Sequence, residues 1–334
     1  MRRLLNQNTE IHTQILDNLK QHLHQSLPND PIQSVYNYCV LPPGKLFRPK
    51  LVHAIANDLS KNFKLTPHCD HALLCSFVEI HHAYTLVHDD LPCMDDDDMR
   101  RNKPSAHKAF GEWKALLIGD GLLNISYEIL SKLKSTNLRL ILKIATRCLG
   151  PKGLIQGQVL DLDNQMLESF SSIKKTHEFK TARLIQISLL LSYLLIEDPK
   201  EISTTPYRTS LEITRLGKYL GLTFQFIDDL SELTSMDLSQ HEQEINPWFT
   251  FPTQVSLELI KGIQEIDKIS GRLGLNHFQQ TYKGYITQMT SSIIEGHLNI
   301  RRNLKLHSEQ KSLDNVLVPV MRLLQRISQR NHFI

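Results

Sequence analysis

The chain is poor in the residues that interrupt helices. Its 334 residues include only 14 glycines and 14 prolines, whereas average usage is about 7% and about 5%. There is also no sustained alternation of Val and Ile with polar residues, which is the pattern of half-buried strands. These shortages argue against a β-rich fold and predict that helices dominate.

Long apolar runs and paired cysteines are also missing. The most apolar segment, Leu184 to Ile196, is too short and too interrupted for a membrane span of about 20 residues, so we expect a core or subunit-interface helix there. The start of the chain is charged but has no hydrophobic region behind it, which predicts no secretory signal. Five cysteines without a CxxC pair argue against a disulfide framework and predict a cytoplasmic location.

Neither sign of charge is in excess. The 38 Lys and Arg residues and 35 Asp and Glu residues leave a formal net charge of +3, which is too balanced to indicate a nucleic-acid partner. There is no internal repeat, low-complexity linker or clear boundary, so we predict a single domain over residues 1–334. A domain of this length would bury about 75% of its unfolded surface.

The acidic residues are, however, unevenly distributed. Six aspartates lie within residues 89–98, directly behind the apolar stretch Leu73 to Val87. Carboxylate oxygens are ligands that Mg²⁺ prefers, and substrate phosphate oxygens often complete its coordination. Arg100 and Arg101 follow, and guanidinium groups match phosphate oxygens in pairs. A solvated acidic surface is the alternative for charge alone, but the position behind a buried helix favours a site for a cation and a phosphorylated ligand.

A second acidic group ends another apolar segment. Asp228 and Glu232 are four residues apart and therefore share one helix face, with Asp229 beside them. One acidic pair at a helix end is common and usually only solvated. Two such groups, each behind an apolar helix, predict two helices that face one another across a cavity with metal ions between them.

These motifs together resemble the trans-type isoprenyl diphosphate synthases, and within that family the bacterial farnesyl diphosphate synthases. DDLPCMD at 89–95 is similar to the family's DDxxxxD, and FQFIDD at 224–229 is similar to its FQxxDD. PGKLFRP at 43–49 resembles GGKxxRP, GQVLDLD at 157–163 resembles GGQxxDL, and KTA at 180–182 resembles KTG. The resemblance covers most of the chain. It implies an all-α fold, an isoprenoid synthase-type helical bundle around a central apolar cavity with two facing aspartate-rich motifs.

The resemblance also implies an activity. Such a prenyltransferase condenses dimethylallyl or geranyl diphosphate head-to-tail with isopentenyl diphosphate, gives farnesyl diphosphate and releases pyrophosphate. A homodimer with Mg²⁺, three ions per active site, is implied as well. We expect Asp90 and Asp229 behind the metal ligands and Asp96 to Asp98 in solvent. The positions that match metal ligands are Asp89, Asp95, Asp228 and Glu232.

The substrate positions also come from matched motifs. Arg100 is expected at the allylic diphosphate. Isopentenyl diphosphate has no metal to carry its charge, so cationic side chains must, and the matching residues are Lys45, Arg48, His82 and Arg101. The residues expected beside the allylic carbon, where their dipoles stabilise positive charge, are Lys180, Thr181 and Gln225. As isolated residues, His82 would more often be a core histidine and Lys180 a surface lysine, but their positions in matched motifs favour the functional interpretation.

Tyr84 is a candidate for the control of product length. It lies five positions before Asp89, roughly one and a half helical turns deeper, and an aromatic residue there stops growth at farnesyl in the family. Plain core packing is the alternative. Tyr84 favours farnesyl over geranylgeranyl diphosphate.

The chain departs from the family after the second acidic motif. Glu232 replaces an aspartate, and the two lysines of the following loop are missing, with Trp248 at the second position. Pro43, Gln156 and Ala182 replace motif glycines. We therefore expect weakened allylic diphosphate binding that a lysine at position 248 would restore. Two alternatives to a farnesyl diphosphate synthase remain: a geranylgeranyl diphosphate synthase, and a weakly active or non-catalytic partner subunit. A class I terpene cyclase is disfavoured, because it has no use for a second diphosphate pocket.

Overall fold

The computed structural model is helical, and the prediction of an all-α fold is confirmed. Within the described part of the chain, the only strands form one short hairpin, and no helix is both long and apolar enough to cross a membrane. The residues that the structure describes are 2–60, 63–66, 68–163, 168–196, 204–235, 238, 240–305 and 310–330.

The chain forms two compact units. The first contains Met1–Ile144 and Leu191–Ser203, and the second contains Ala145–Leu190 and Thr204–Ile334. The single domain predicted over residues 1–334, and the prediction that the two acidic motifs face one another, stay predictions.

Helix α4 (Asp70–Asp89) is the centre of the first unit. It is buried through most of its length, and it packs against α1 (Arg2–Ser26), α3 (Phe47–Leu59) and α6 (Glu112–Ser131). Its last residue is Asp89, so the first acidic motif ends a buried helix, as predicted. The elements of this unit are α1 (Arg2–Ser26), α2 (Gln33–Val40), α3 (Phe47–Leu59), α4 (Asp70–Asp89), β1 (Met99–Arg100), β2 (Lys103–Pro104), α5 (Ala106–Phe110) and α6 (Glu112–Ser131).

Helix α11 is the centre of the second unit. It packs against α14, α15 and the π-helical segment, and its last residue is Glu232. The elements of this unit are α8 (Leu154–Leu162), α9 (Phe170–His177), the π-helical segment (Glu178–Ala182), α11 (Thr204–Glu232), α12 (Gln240–Ile245), α13 (Pro247–Thr250), α14 (Pro252–Arg272), α15 (Asn276–Glu295), α16 (His297–Lys305) and α17 (Gln310–Arg330).

Two helices, α7 (Leu138–Leu149) and α10 (Arg183–Leu194), have residues in both units. The apolar segment expected to form a core or interface helix is α10, which is buried along most of its length, including Ile185, Leu189 and Leu191. It is therefore a core helix.

Small residues set the distance of α11 from the π-helical segment and from the start of α10. A Cβ atom added at Gly221 would lie 2.4 Å from the Cα atom of Ala182, and one added at Gly217 would lie 2.6 Å from the Cα atom of Gln186. On the other side, a Cβ atom at Gly157 of α8 would lie 2.2 Å from the backbone nitrogen of Lys180. Backbones in such close approach leave no room for a methyl group.

We predict that Gly221→Ala lowers the free energy of unfolding by about 1–3 kcal/mol, because the added methyl group overpacks the contact with Ala182. Thermal unfolding of the purified protein measures this. Gly284→Ala in α15 is the matched control, since its Cβ would meet no atom within 4 Å, and we expect it to be neutral or to stabilise by up to about 1 kcal/mol. Equal melting temperatures for the two variants would contradict the close approach.

Candidate active site

The first acidic motif folds into a turn that returns to the end of α4. The backbone nitrogen of Asp95 donates to the carbonyl oxygen of Asp89 at 2.9 Å, and Met94 and Asp96 donate to the carbonyl oxygen of Leu91. Asp89 is half-buried and Asp95 is exposed. The turn therefore brings together the two residues predicted as metal ligands on this side.

Asp90 points the other way and holds Arg100. Its side chain is 3% exposed and accepts from Nε of Arg100 at 2.9 Å, while Nη2 of the same arginine contacts both Asp90 and, at 2.6 Å, Asp97. Burial raises the pKa of Asp90, and the hydrogen bond and charge of Arg100 act in the opposite direction. The structure thus places Asp90 behind the acidic turn, with Arg100 tied to it.

The three remaining aspartates of the run are exposed, but basic residues accompany them. Besides the contact of Asp97 with Arg100, Asp98 pairs with Lys108 at 2.8 Å, and Asp96 lies 3.8 Å from Nε2 of His107. One ligand atom each of Asp96, Asp98 and His107 lie within 4.8 Å of one another. The exposure of Asp96, Asp97 and Asp98 agrees with the expectation from the sequence, whereas their basic partners on α5, His107 and Lys108, were not predicted.

A basic cluster lies above a buried carboxylate. Arg101 donates to the carbonyl oxygen of Pro42 at 3.2 Å, and its Nη2 lies 3.8 Å from Oε1 of Glu79, which is 3% exposed. Burial raises the pKa of Glu79, and the charges of Arg101, Arg48 and Lys50 oppose this shift. Glu79 and Lys50 were missed, although Glu79 is the one acidic residue within the apolar stretch Leu73 to Val87.

His82 joins this cluster. Burial, followed by the charges of Arg48, Arg101 and Arg100, holds the pKa of His82 well below its usual value. Its imidazole is therefore neutral near pH 7 and offers a hydrogen bond and no charge. Lys45 is exposed in the loop before α3. Three of the four residues predicted for the metal-free diphosphate, namely Arg48, His82 and Arg101, thus lie close together.

Tyr84 is buried on the inner side of α4. Its ring meets those of His81 and His88 edge-on, at centroid distances of 4.6 and 5.8 Å. Burial raises the pKa of its hydroxyl, and the charges of Tyr127 and Asp89 add to the shift. Tyr84 is thus a core aromatic residue, and the charge of Asp89 contributes to the raised pKa of its hydroxyl.

A hydrogen-bonded chain links three predicted residues of the second unit. The Thr181 hydroxyl donates to Oε1 of Gln225 at 2.7 Å, and Nε2 of Gln225 donates to Oδ1 of Asp229 at 2.8 Å. Lys180, beside Thr181, binds Asp161. Asp161 was missed as a partner, although it belongs to the matched segment GQVLDLD.

The end of α11 carries concentrated negative charge. Burial raises the pKa of Asp229 well above its usual value, and Glu232, Asp228 and Asp161 push it in the same direction. The Oδ2 atom of Asp229 is buried without a hydrogen-bond partner, 4.0 Å from Nδ1 of His177. A divalent cation would offset the mutual repulsion of these carboxylates, so the donor set fits a metal such as Mg²⁺.

Trp248 corrects one expectation. By alignment it stands where the family has a lysine, and we expected that a lysine here would tighten allylic diphosphate binding if the loop placed it near the diphosphate. Its side chain is instead fully buried at 0% exposure, and Nε1 donates to the carbonyl oxygen of Phe226 at 2.9 Å. Trp248 is a core residue that fastens α13 to α11, so a lysine there would bury an unpaired ammonium group.

We predict that Trp248→Lys lowers the free energy of unfolding by at least about 3–5 kcal/mol, the usual cost of truncating a buried tryptophan. Urea denaturation measures the loss. Trp248→Phe is the control, because it keeps an aromatic ring in the core, and we expect a clearly smaller loss. A lysine variant as stable as the unsubstituted protein would show that this position is open after all.

Comparison with known proteins places the chain in a family. A family model described as polyprenyl synthetase matches residues 29–245. The farnesyl diphosphate synthase of Bacillus subtilis is 32% identical over 267 residues, which are 74% of this chain and 84% of that protein. Geranylgeranyl pyrophosphate synthase 12 of Arabidopsis thaliana is 33% identical over 257 residues, 71% of this chain and 67% of that protein.

A solved structure agrees with these matches. The geranyltransferase of Legionella pneumophila superposes with a TM-score of 0.69 at 25% identity, covering 88% of this chain and 97% of the other. The isoprenoid synthase-type bundle implied by the motifs is thereby confirmed. So is the prediction of a transferase: the chain is a prenyltransferase that belongs to the polyprenyl synthetase family.

Proposed function

We propose that this prenyltransferase condenses dimethylallyl and geranyl diphosphates with isopentenyl diphosphate and so makes farnesyl diphosphate. The observation that carries the proposal is the pairing, within one unit, of an acidic turn with a separate basic cluster. The acidic turn of Asp89 and Asp95 suits a diphosphate held through metal. The cluster of Arg48 and Arg101 suits a diphosphate without metal.

Magnesium is the proposed cofactor, with three ions per active site. Bound Mg²⁺ neutralises the charge that develops on the leaving pyrophosphate. The residues proposed to hold it are Asp89, Asp95, Asp228 and Glu232. Asp90 keeps Arg100 in a fixed orientation behind the acidic turn, and we propose that Arg100 contacts the allylic diphosphate.

The basic cluster takes isopentenyl diphosphate. Glu79 anchors Arg101 from below at 3.8 Å, so the guanidinium is oriented before substrate arrives. Arg48 and Lys45 add charge, and neutral His82 donates a hydrogen bond. A guanidinium group can donate two parallel hydrogen bonds to phosphate oxygens. Arg48 and Arg101 together can therefore bind both phosphate groups of a diphosphate.

The hydrogen-bonded chain of the second unit stabilises positive charge. Gln225 accepts from Thr181 and donates to Asp229, which fixes the directions of the hydroxyl and amide dipoles. We propose that these dipoles, with the backbone carbonyl of Lys180, lie beside the allylic carbon as its bond to pyrophosphate breaks. The released pyrophosphate then accepts the final proton, so no protein nucleophile takes part.

Tyr84 supports farnesyl diphosphate as the product, because a buried ring deeper on the helix that ends in Asp89 would block a longer chain. The similarity to a geranylgeranyl pyrophosphate synthase keeps the longer product as the second candidate. The absence of the two lysines from the loop after the second acidic motif keeps a weakly active or non-catalytic partner subunit as a third candidate.

A homodimer in the cytoplasm is also part of the proposal. The exposed face of α6 carries Trp113, Leu116 and Leu117 at helical spacing, which is an apolar stripe suited to a second copy of the chain. All five cysteines are free, in keeping with a reducing compartment.

Product analysis tests the proposal. Purified protein with Mg²⁺, isopentenyl diphosphate and allylic diphosphates of increasing length should give farnesyl diphosphate as the longest main product. Asp89→Ala and Asp228→Ala should each abolish turnover without unfolding the protein, since each removes a metal ligand. Near-normal turnover by either soluble variant would refute the two-motif mechanism, and geranylgeranyl diphosphate as main product would select the second candidate.

We predict that Arg48→Ala raises the KM for isopentenyl diphosphate by about tenfold or more, because a hydrogen bond to a charged group contributes about 1.5–3 kcal/mol. The KM for the allylic substrate should change little. Steady-state kinetics with each substrate varied in turn measure both constants. Lys20→Ala, which removes an exposed charge from the same unit, is the control. Equal losses for both substrates would mean that the two pockets are assigned wrongly.

A further inference from the structure

Asn246 connects the altered loop to the second acidic motif. It immediately precedes α13, is 3% exposed, and makes three hydrogen bonds through its side chain. Nδ2 donates to the carbonyl oxygen of Asp229 at 2.7 Å and to Oε2 of Glu232 at 3.0 Å, and Oδ1 accepts from the backbone nitrogen of Trp248 at 3.1 Å.

The chemistry of the amide group fits these three contacts. A primary amide has two N–H donors and one carbonyl oxygen, so one donor serves the backbone of α11, the other serves Glu232, and the oxygen caps α13. A carboxylate in this place would have no donor to offer and would repel Glu232. A hydroxyl group would have one donor for two acceptors. Asparagine therefore fits the arrangement better than the other short polar residues.

The side chain of Glu232 has more conformational freedom than an aspartate would have. It is exposed and is one methylene longer than the aspartate that the family has at this position, so more rotamers are open to its carboxylate. The hydrogen bond from a buried amide restricts that freedom. A carboxylate ligand that is oriented by a neighbouring donor binds metal more tightly than one that is not.

We propose that Asn246 is a positioning residue that orients the Glu232 carboxylate for a hard divalent cation at the end of α11. The inference rests on the proposed function, in which Glu232 is a Mg²⁺ ligand. In this chain, the loop that lacks the family's lysines thus supports the metal ligand and not the diphosphate. Trp248 anchors the loop in the core, and Asn246 orients the side chain of Glu232.

A purely structural role is the competing explanation, and the chain offers a matched control for it. Nδ2 of Asn303 donates to the carbonyl oxygens of Leu233 and Ser235, both at 3.0 Å. Asn303 therefore stabilises the same end of α11 through backbone acceptors, without a hydrogen bond to Glu232. Asn303→Ala removes these two hydrogen bonds to the backbone and leaves the Asn246–Glu232 contact in place.

The test is a Mn²⁺ titration of the full-length protein, in which electron paramagnetic resonance reports the free ion. We expect Asn246→Ala to weaken Mn²⁺ binding at one class of sites by about tenfold, the lower end of the usual effect of removing a ligand's supporting partner. Asn303→Ala should bind as the unsubstituted protein does. Asn246→Ser, which keeps a capping oxygen for α13 but is too short to reach Glu232, should behave as the alanine variant does.

A double-mutant cycle with Glu232→Gln decides the mechanism. If Asn246 acts through Glu232, adding Asn246→Ala to Glu232→Gln should cause no further loss of Mn²⁺ affinity. An equal loss in both backgrounds, or unchanged binding by both Asn246 variants, would overturn the proposal. Product formation by the unsubstituted protein is measured in parallel. Its absence would count against the proposed function, whereas the Mn²⁺ cycle tests the positioning role separately.

Discussion

Both acidic motifs place carboxylates at the end of a buried helix, where they are partly withdrawn from water. Removing a charged group from water costs free energy, and the neighbouring residues must offset that cost. In the first unit arginines offset this cost. Asp90 is held by Arg100, and Glu79 lies beneath Arg101 and its basic neighbours. Removing one member of such a group would leave a buried charge uncompensated. The end of α4 is therefore a cluster in which buried carboxylates are matched by arginines.

The second unit meets the same cost with neutral donors. Gln225 and Asn246 supply amide hydrogens to the end of α11, but amides carry no charge, and the pKa of Asp229 stays raised by burial and by its acidic neighbours. The two acidic ends thus differ in kind. Arginines pair with the buried acids of the first end, whereas the carboxylates of the second end raise the pKa of Asp229 by their mutual repulsion.

Much of this arrangement could be predicted from the sequence, because it is local. The scarcity of glycine and proline indicated helices, and the acids behind apolar stretches marked where α4 and α11 end. Partners distant in the chain could not be predicted. Glu79 was visible as an isolated acid in an apolar run, but nothing in the sequence pairs it with Arg101. Trp248 was misread for a related reason: alignment in a loop with few matching residues equates positions, whereas packing decides whether a side chain faces a ligand or the core.

The hairpin of β1 and β2 has a consequence for binding kinetics. Its two turn residues, Arg101 and Asn102, have φ angles of 54° and 61°, in the left-handed region where residues other than glycine cost about 1–3 kcal/mol each. That cost is met when the chain folds. The backbone at Arg101 is consequently placed by a two-residue turn that already has its conformation in the folded chain. If Arg101 binds a diphosphate, as proposed, this turn would not have to form during binding, so less ordering entropy would be lost and association would need no folding step here.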